Sequence, residues 1–121
     1  MGEIIAKLGK YKLIPVVTIN KIEGAIPLGE AIINGGLPVV EILFRSTLAS
    51  EAIKILTKKF PELLVGAGTV LSIEQIKQAI TAGAKFIVSP GFNPKVVDYC
   101  LENDIPIIPG ISSPTLIEMA L

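Results

Sequence analysis

The chain has 121 residues, eleven basic and eleven acidic side chains, one cysteine and no histidine, with 50% hydrophobic residues against 18% charged and a mean hydropathy of +0.66. That length suits one domain with its own core, and the high apolar share requires either a sheet covered on both faces or a packing partner. Balanced charge without a basic, aromatic-rich run excludes nucleic acid, strand-length apolar runs exclude a membrane span, no signal-peptide pattern opens the chain, and a lone Cys100 fits a reducing cytoplasm.

Glu3 to Lys10 reads as a leading helix with Ile4, Ile5 and Leu8 on one face. Leu13 to Ile19 is a first strand, continuously apolar as a strand covered on both faces should be, with Pro15 near its start. Lys21 to Asn34 follows as a helix with Ile22, Ala25, Ile26, Ile32 and Ile33 inward, stopped at Gly35-Gly36. The second strand, Val39 to Arg45, is the one stretch where charge interrupts an apolar run instead of flanking it. Alternation puts Val39, Glu41, Leu43 and Arg45 on one face and Val40, Ile42 and Phe44 on the other. An ionised group buried without a partner is costly, so an inward Glu41 needs either a counter-ion or a chemical role. At about 3.3 Å per residue Glu41 and Arg45 lie about 13 Å apart along the strand, which leaves room for a ligand between them.

Ser46 or Thr47 then caps a helix with Ala49, Ala52, Ile53 and Leu56 as its apolar stripe, ending at Lys58-Lys59. Leu63 to Thr69 is the third strand, and Ser72 with Gln75 is a capping-box signature for a helix carrying Ile73, Ile76, Ala79 and Ile80, closed near Gly83. Phe86 to Gly91 is the fourth strand. Asn93 with Pro94 opens a helix bearing Val96, Val97, Cys100 and Leu101 and stopping at Asn103. Ile105 to Ile111 is the fifth strand, and Ser113-Pro114 starts a sixth helix.

Strands alternating with helices in this way build a parallel sheet, either open and doubly wound or part of a (β/α)8 barrel of typically about 250 residues. Length alone favours a flavodoxin-like open sheet. The chemistry at the strand ends does not: a receiver-type sheet wants acidic residues after the first and third strands, where this chain has Thr18-Ile19-Asn20 and Gly68-Thr69. The only aspartates are Asp98 and Asp104. Without histidine the chain also lacks the commonest general base and metal ligand, which argues against a zinc hydrolase or a metal-dependent aldolase.

Four strand-end motifs, Val39-Val40-Glu41-Ile42-Leu43-Phe44-Arg45-Ser46, Val65-Gly66-Ala67-Gly68-Thr69-Val70, Val88-Ser89-Pro90-Gly91 and Ile108-Pro109-Gly110-Ile111-Ser112, stand in register along the chain. Together they resemble the 2-keto-3-deoxy-6-phosphogluconate (KDPG) / 4-hydroxy-2-oxoglutarate aldolase family. The resemblance implies an α/β fold of the TIM-barrel family. Residues 1–121 would then form a single partial-barrel domain, five parallel strands behind a leading helix. It implies a class I aldolase, cleaving a 2-keto-4-hydroxy acid to pyruvate and an aldehyde through a lysine Schiff base, with no metal and no cofactor. By the same resemblance Glu41 is the general acid/base, Arg45 binds the substrate carboxylate with Thr69, Pro90 lines the pocket, and the protein is a cytoplasmic homotrimer. The chemistry of the residues agrees with those roles: a guanidinium fork matches a carboxylate, and a carboxyl among apolar groups holds its proton to higher pH.

The family's Schiff-base lysine sits on the sixth barrel strand in a Lys-Phe-Phe-Pro-like motif, beyond Leu121, as do its glycine-rich phosphate loops. Lys12 and Lys85 precede their strands, Lys54, Lys58, Lys59 and Lys77 belong to outer helices, and Lys21 and Lys95 stand near helix starts. None is placed as a nucleophile, so the isolated chain is expected to be inactive. The alternative is a non-catalytic βα scaffold or an open-sheet domain. On such a reading Glu41 and Arg45 partner groups within the fold, Gly66 and Gly68 permit a tight turn, Thr69 and Ser89 bind backbone, and Cys100 is a small buried hydrophobe.

Overall fold

The strands pair in the order in which they occur in the chain, all parallel: β1 (Val16–Val17), β2 (Val39–Leu43), β3 (Leu64–Gly68), β4 (Phe86–Ser89) and β5 (Ile107–Pro109). The computed structural model describes residues 1–121. Between the strands run α2 (Ala25–Asn34), α3 (Ala49–Lys59), α4 (Ile73–Ala82) and α5 (Pro94–Glu102), with α1 (Gly2–Tyr11) before the sheet and α6 (Pro114–Ala120) after it. A doubly wound sheet reverses its strand order at a switch point. This one never does, so the sheet is an arc of a (β/α) barrel, and the open-sheet alternative is excluded.

The two faces of the arc are filled differently. Val40, Ile42, Val65, Ala67 and Ile87 point outward and pack with Ala25 of α2, Ala52, Ile53 and Leu56 of α3, Ile76 and Ala79 of α4, and Val96 and Cys100 of α5. Neighbouring helices pack side by side along that face. The inward residues are fewer: Val39, Leu64 and Phe86 form a small cluster with Leu8 of α1, which closes the amino-terminal end of the arc. A contact between the Met1 ammonium and Asp104 at 3.7 Å ties the start of α1 to the turn before β5.

Several elements are shorter than the apolar runs suggest. β1 keeps only two residues because it pairs on one side, with β2, and because Pro15 has no N–H to give; its carbonyl accepts from Glu41 N–H at 2.8 Å. Leu13 and Val16 are accordingly 69% and 56% exposed. β2 ends at Leu43, with a last bond from Phe44 N–H to the Gly68 carbonyl, so Arg45 lies in the following turn and not on the strand. α2 starts at Ala25 after a 3-10 turn over Ile22–Gly24, and Ile26 faces outward on it. Ile80 and Leu101, expected on apolar stripes, are also exposed.

The helix starts follow the sequence closely. Ser72, Asn93 and Ser113 accept from Gln75, Lys95 and Leu116 N–H groups, and Gly83 ends α4 in the left-handed region at φ 113. Gln75 reaches back to accept from Leu71 N–H at 2.7 Å. At α3 neither Ser46 nor Thr47 is the cap. Leu48 holds that position without a side-chain bond, and Ser46 Oγ accepts from Leu48 N–H in the turn before it.

Candidate active site

Parallel register sets one row of residues across the inner face: Val16, Glu41, Gly66 and Phe86 stand opposite one another on β1 to β4. Glu41 and Ser89 are the only buried polar residues, and Glu41 is the only buried charge. Ser89 is explained locally, since its hydroxyl donates to the Gly91 carbonyl at 2.9 Å. Glu41 is not: no hydrogen bond or cation holds its carboxylate, although it is only 7% exposed. Both oxygens retain contact with solvent, since no sealed side-chain oxygen in the fold lacks a partner. Burial pushes the Glu41 carboxyl above the ordinary 4.5. With no partner to favour the ionised form, it is a group that can hold and release a proton at higher pH than a surface glutamate.

Two glycines give that carboxyl its place. A Cβ on Gly66 would overlap the Phe86 ring, and one on Gly68 would overlap Glu41 Oε1 and come within 2.6 Å of its Cδ. They are therefore not the tight strand-to-helix turn that a Gly-Ala-Gly run suggests; both lie inside β3, and neither has positive φ. The left-handed step falls on Thr69, with φ 54. A β-branched residue is unfavourable there by about 1–3 kcal/mol, and such strain gathers where a side chain must be aimed. Thr69 is half-buried at the carboxyl end of β3, directly after the residue beneath the Glu41 carboxylate.

Pro90 is exposed just past β4, its carbonyl against Gly110, and it lines a recess of about 190 Å³ with Val70, Leu71 and Phe92. Glu41, Thr69 and Pro90 thus stand on the inner face and the carboxyl rim of β2 to β4. Arg45 stands apart in its turn, exposed, lining a polar groove of about 290 Å³ with Ser46, Thr47, Ser50, Gln75 and Gln78. The most spacious groove, about 410 Å³ between α3 and α4, shares Ser50 and Gln78 with the Arg45 groove and carries Lys54 and Lys77 but no carboxylate.

Every lysine is exposed, and none lies on a strand. Cys100 is buried in the outer core, where burial pushes its thiol up to about 11, so it is no nucleophile. No three His, Cys, Asp or Glu side chains gather where they could hold a metal ion. Sequence reasoning missed the seat at Gly68. The available signal was the register, since aligning Val39 with Leu64 sets the bare β3 positions beside Glu41.

Residues 4–121 match the family model described as KDPG and KHG aldolase. The chain belongs to that family. Over all 121 residues it is 51% identical to the 2-dehydro-3-deoxy-phosphogluconate aldolase of Treponema pallidum, of which it spans 58%. Among solved structures it resembles the KDPG aldolase of Zymomonas mobilis ZM4, determined with 3-phosphoglycerate, at a TM-score of 0.92 and 34% identity, covering 99% of this chain and 57% of that one. It also resembles the KDPG aldolase of Legionella pneumophila, with pyruvate captured as a covalent carbinolamine, at a TM-score of 0.84 and 38% identity, covering 88% and 52%. As a KDPG/KHG aldolase sequence the chain therefore spans little more than half the length of these relatives.

Proposed function

We propose that the protein carrying this chain is a class I aldolase that cleaves a 2-keto-4-hydroxy acid, of the KDPG or 4-hydroxy-2-oxoglutarate kind, to pyruvate and an aldehyde. The observation that carries the reading is the Glu41 carboxyl, the one buried charge, held on the inner face without hydrogen bond or counter-ion. The pyruvate carbinolamine of the Legionella relative supports an amine nucleophile. In this reading the amine adds to the C2 carbonyl and loses water to give an iminium. Glu41 takes the C4 hydroxyl proton, the C3–C4 bond breaks, its electron pair flows to the iminium nitrogen and the aldehyde leaves. Glu41, now protonated, returns a proton to C3 of the resulting enamine, and hydrolysis frees pyruvate.

Arg45 and Thr69 bind the substrate carboxylate in this scheme and Pro90 lines the pocket. For Arg45 this requires the turn after β2 to bring the guanidinium over the inner face. The lysine is supplied by the portion of the barrel that the longer relatives possess, since no lysine here stands on a strand. Residues 1–121 are one partial-barrel unit of a cytoplasmic homo-oligomer, a trimer by family resemblance. Exposed Leu13, Ile117 and Met119 support a covering partner surface. No helix is long and apolar enough to cross a membrane.

Glu41→Gln in the full-length protein tests the reading. It should lower kcat by about 10²–10⁴-fold, the usual contribution of a general acid/base, while pyruvate is still trapped by borohydride. Unchanged turnover would take the acid/base role away from Glu41. Borohydride trapping of pyruvate on a lysine of the 121-residue chain would instead relocate the nucleophile.

A further inference from the structure

We propose that Gly68 is a positioning residue for Glu41, its bare backbone being the seat that fixes the carboxylate on the inner face. The inference rests on the acid/base reading of Glu41. Glu41 stands opposite Gly66 in the register, and Gly68 stands opposite Leu43. The Gly66 floor is taken by the Phe86 ring, so the Glu41 side chain leans along the strand and lies over Gly68. There any Cβ would overlap Oε1 and approach Cδ to 2.6 Å and Leu43 Cδ2 to 2.7 Å.

The missing side chain, not an unusual backbone, is what this position needs. Gly68 does not have the positive φ that reserves a site for glycine; Thr69 takes that conformation instead. Nor is the backbone free to give way, because the Gly68 carbonyl accepts from Phe44 N–H at 2.8 Å at the end of the β2–β3 ladder. A methyl group at Gly68 must therefore move the carboxyl. The substrate would meet an acid/base displaced by roughly 1 Å, the shift that relieves the overlap.

Gly68→Ala and Gly66→Ala, compared in the full-length protein, separate seat from scaffold. Gly68→Ala should lower kcat by about 10²-fold, the scale for a misplacement near 1 Å, with a much smaller change in KM. It should also shift both the acid limb of the kcat profile and the Glu41 carboxyl titration read by NMR. Gly66→Ala presses on Phe86 and should lose stability with the Glu41 titration in place. Glu41→Asp withdraws the carboxyl by one methylene, so it should cost less activity in the Gly68→Ala background than in the parent.

Should Gly68→Ala fold poorly, its unfolding midpoint can be compared with that of Glu41→Ala/Gly68→Ala. Partial recovery in the double variant supports the seat, and equal loss with or without Glu41 overturns it. Wild-type kcat and an unmoved Glu41 titration in a folded Gly68→Ala protein also overturn it. If Glu41→Gln stays active while Gly68→Ala still moves the Glu41 titration, the acid/base role of Glu41 falls and the seat stands. Loss of activity in Glu41→Gln with an unmoved titration in Gly68→Ala means the reverse.

Discussion

The two faces of one sheet show how the same alternation produces a core and a site. Outward residues of β2 and β3 are Val40, Ile42, Val65 and Ala67, all fully buried beneath helices. Inward residues of the same strands are Val39, Glu41, Leu43, Leu64, Gly66 and Gly68. Toward the amino end the inner face is also core, filled by Leu8, Val39, Leu64 and Phe86; toward the carboxyl end β3 offers only Gly66 and Gly68, with Glu41 and Leu43 of β2 beside them. The burial that the core supplies to its aliphatic groups becomes, at Glu41, a shifted proton affinity.

The sharpest way to break this comparison is at Phe86, which belongs to the small inner cluster and not to the large outer one. If the amino half of the inner face is true core, Phe86→Ala should destabilise the chain by about 3–5 kcal/mol in urea unfolding, matching Leu56→Ala on the outer face at about 2–5. A cost below 1 kcal/mol would mean that the inner face is not packed. Gly66→Ala probes the same layer from the opposite side. Its methyl meets the Phe86 ring, so overpacking should cost about 1–3 kcal/mol, readable as a lower urea midpoint. Ser72→Ala, on the outer side, removes only the bond accepted from Gln75 N–H at 3.2 Å and should cost about 1 kcal/mol.

Local signals were legible: the Ser72, Asn93 and Ser113 caps and the inward position of Glu41 each depend on a few neighbouring residues and all appear in the fold. Strand length was less legible, because β1 and β5 pair on one side and a continuous apolar run carries no record of how many partners it finds. Arg45 was misplaced on the strand for the same reason: the β2 ladder closes at the Gly68 carbonyl, and period-two counting beyond it has no meaning. The seat under Glu41 was illegible without register, since it joins positions on two strands that only the pairing brings together.

Glu41→Gln should have the smallest and most condition-dependent effect on stability. Burial raises the Glu41 pKa in the folded chain above the ordinary 4.5, so the folded state holds this proton more tightly than the unfolded state does. The stabilisation that follows is complete below the ordinary value and is lost as pH rises through the raised one, because ionising the buried carboxyl without a partner costs free energy. Glutamine keeps a similar shape and never ionises. Other titrating groups are common to both proteins, so the difference between variant and parent isolates Glu41. In thermal melts the two should nearly coincide in acid. The variant's Tm should gain on the parent as pH rises from the ordinary carboxylate value through the raised one, then hold its lead on a plateau at higher pH. A lead that shrinks with rising pH would show that the ionised carboxylate is the form the fold stabilises, and Glu41 would then have a counter-charge on this face that the arc as described does not contain.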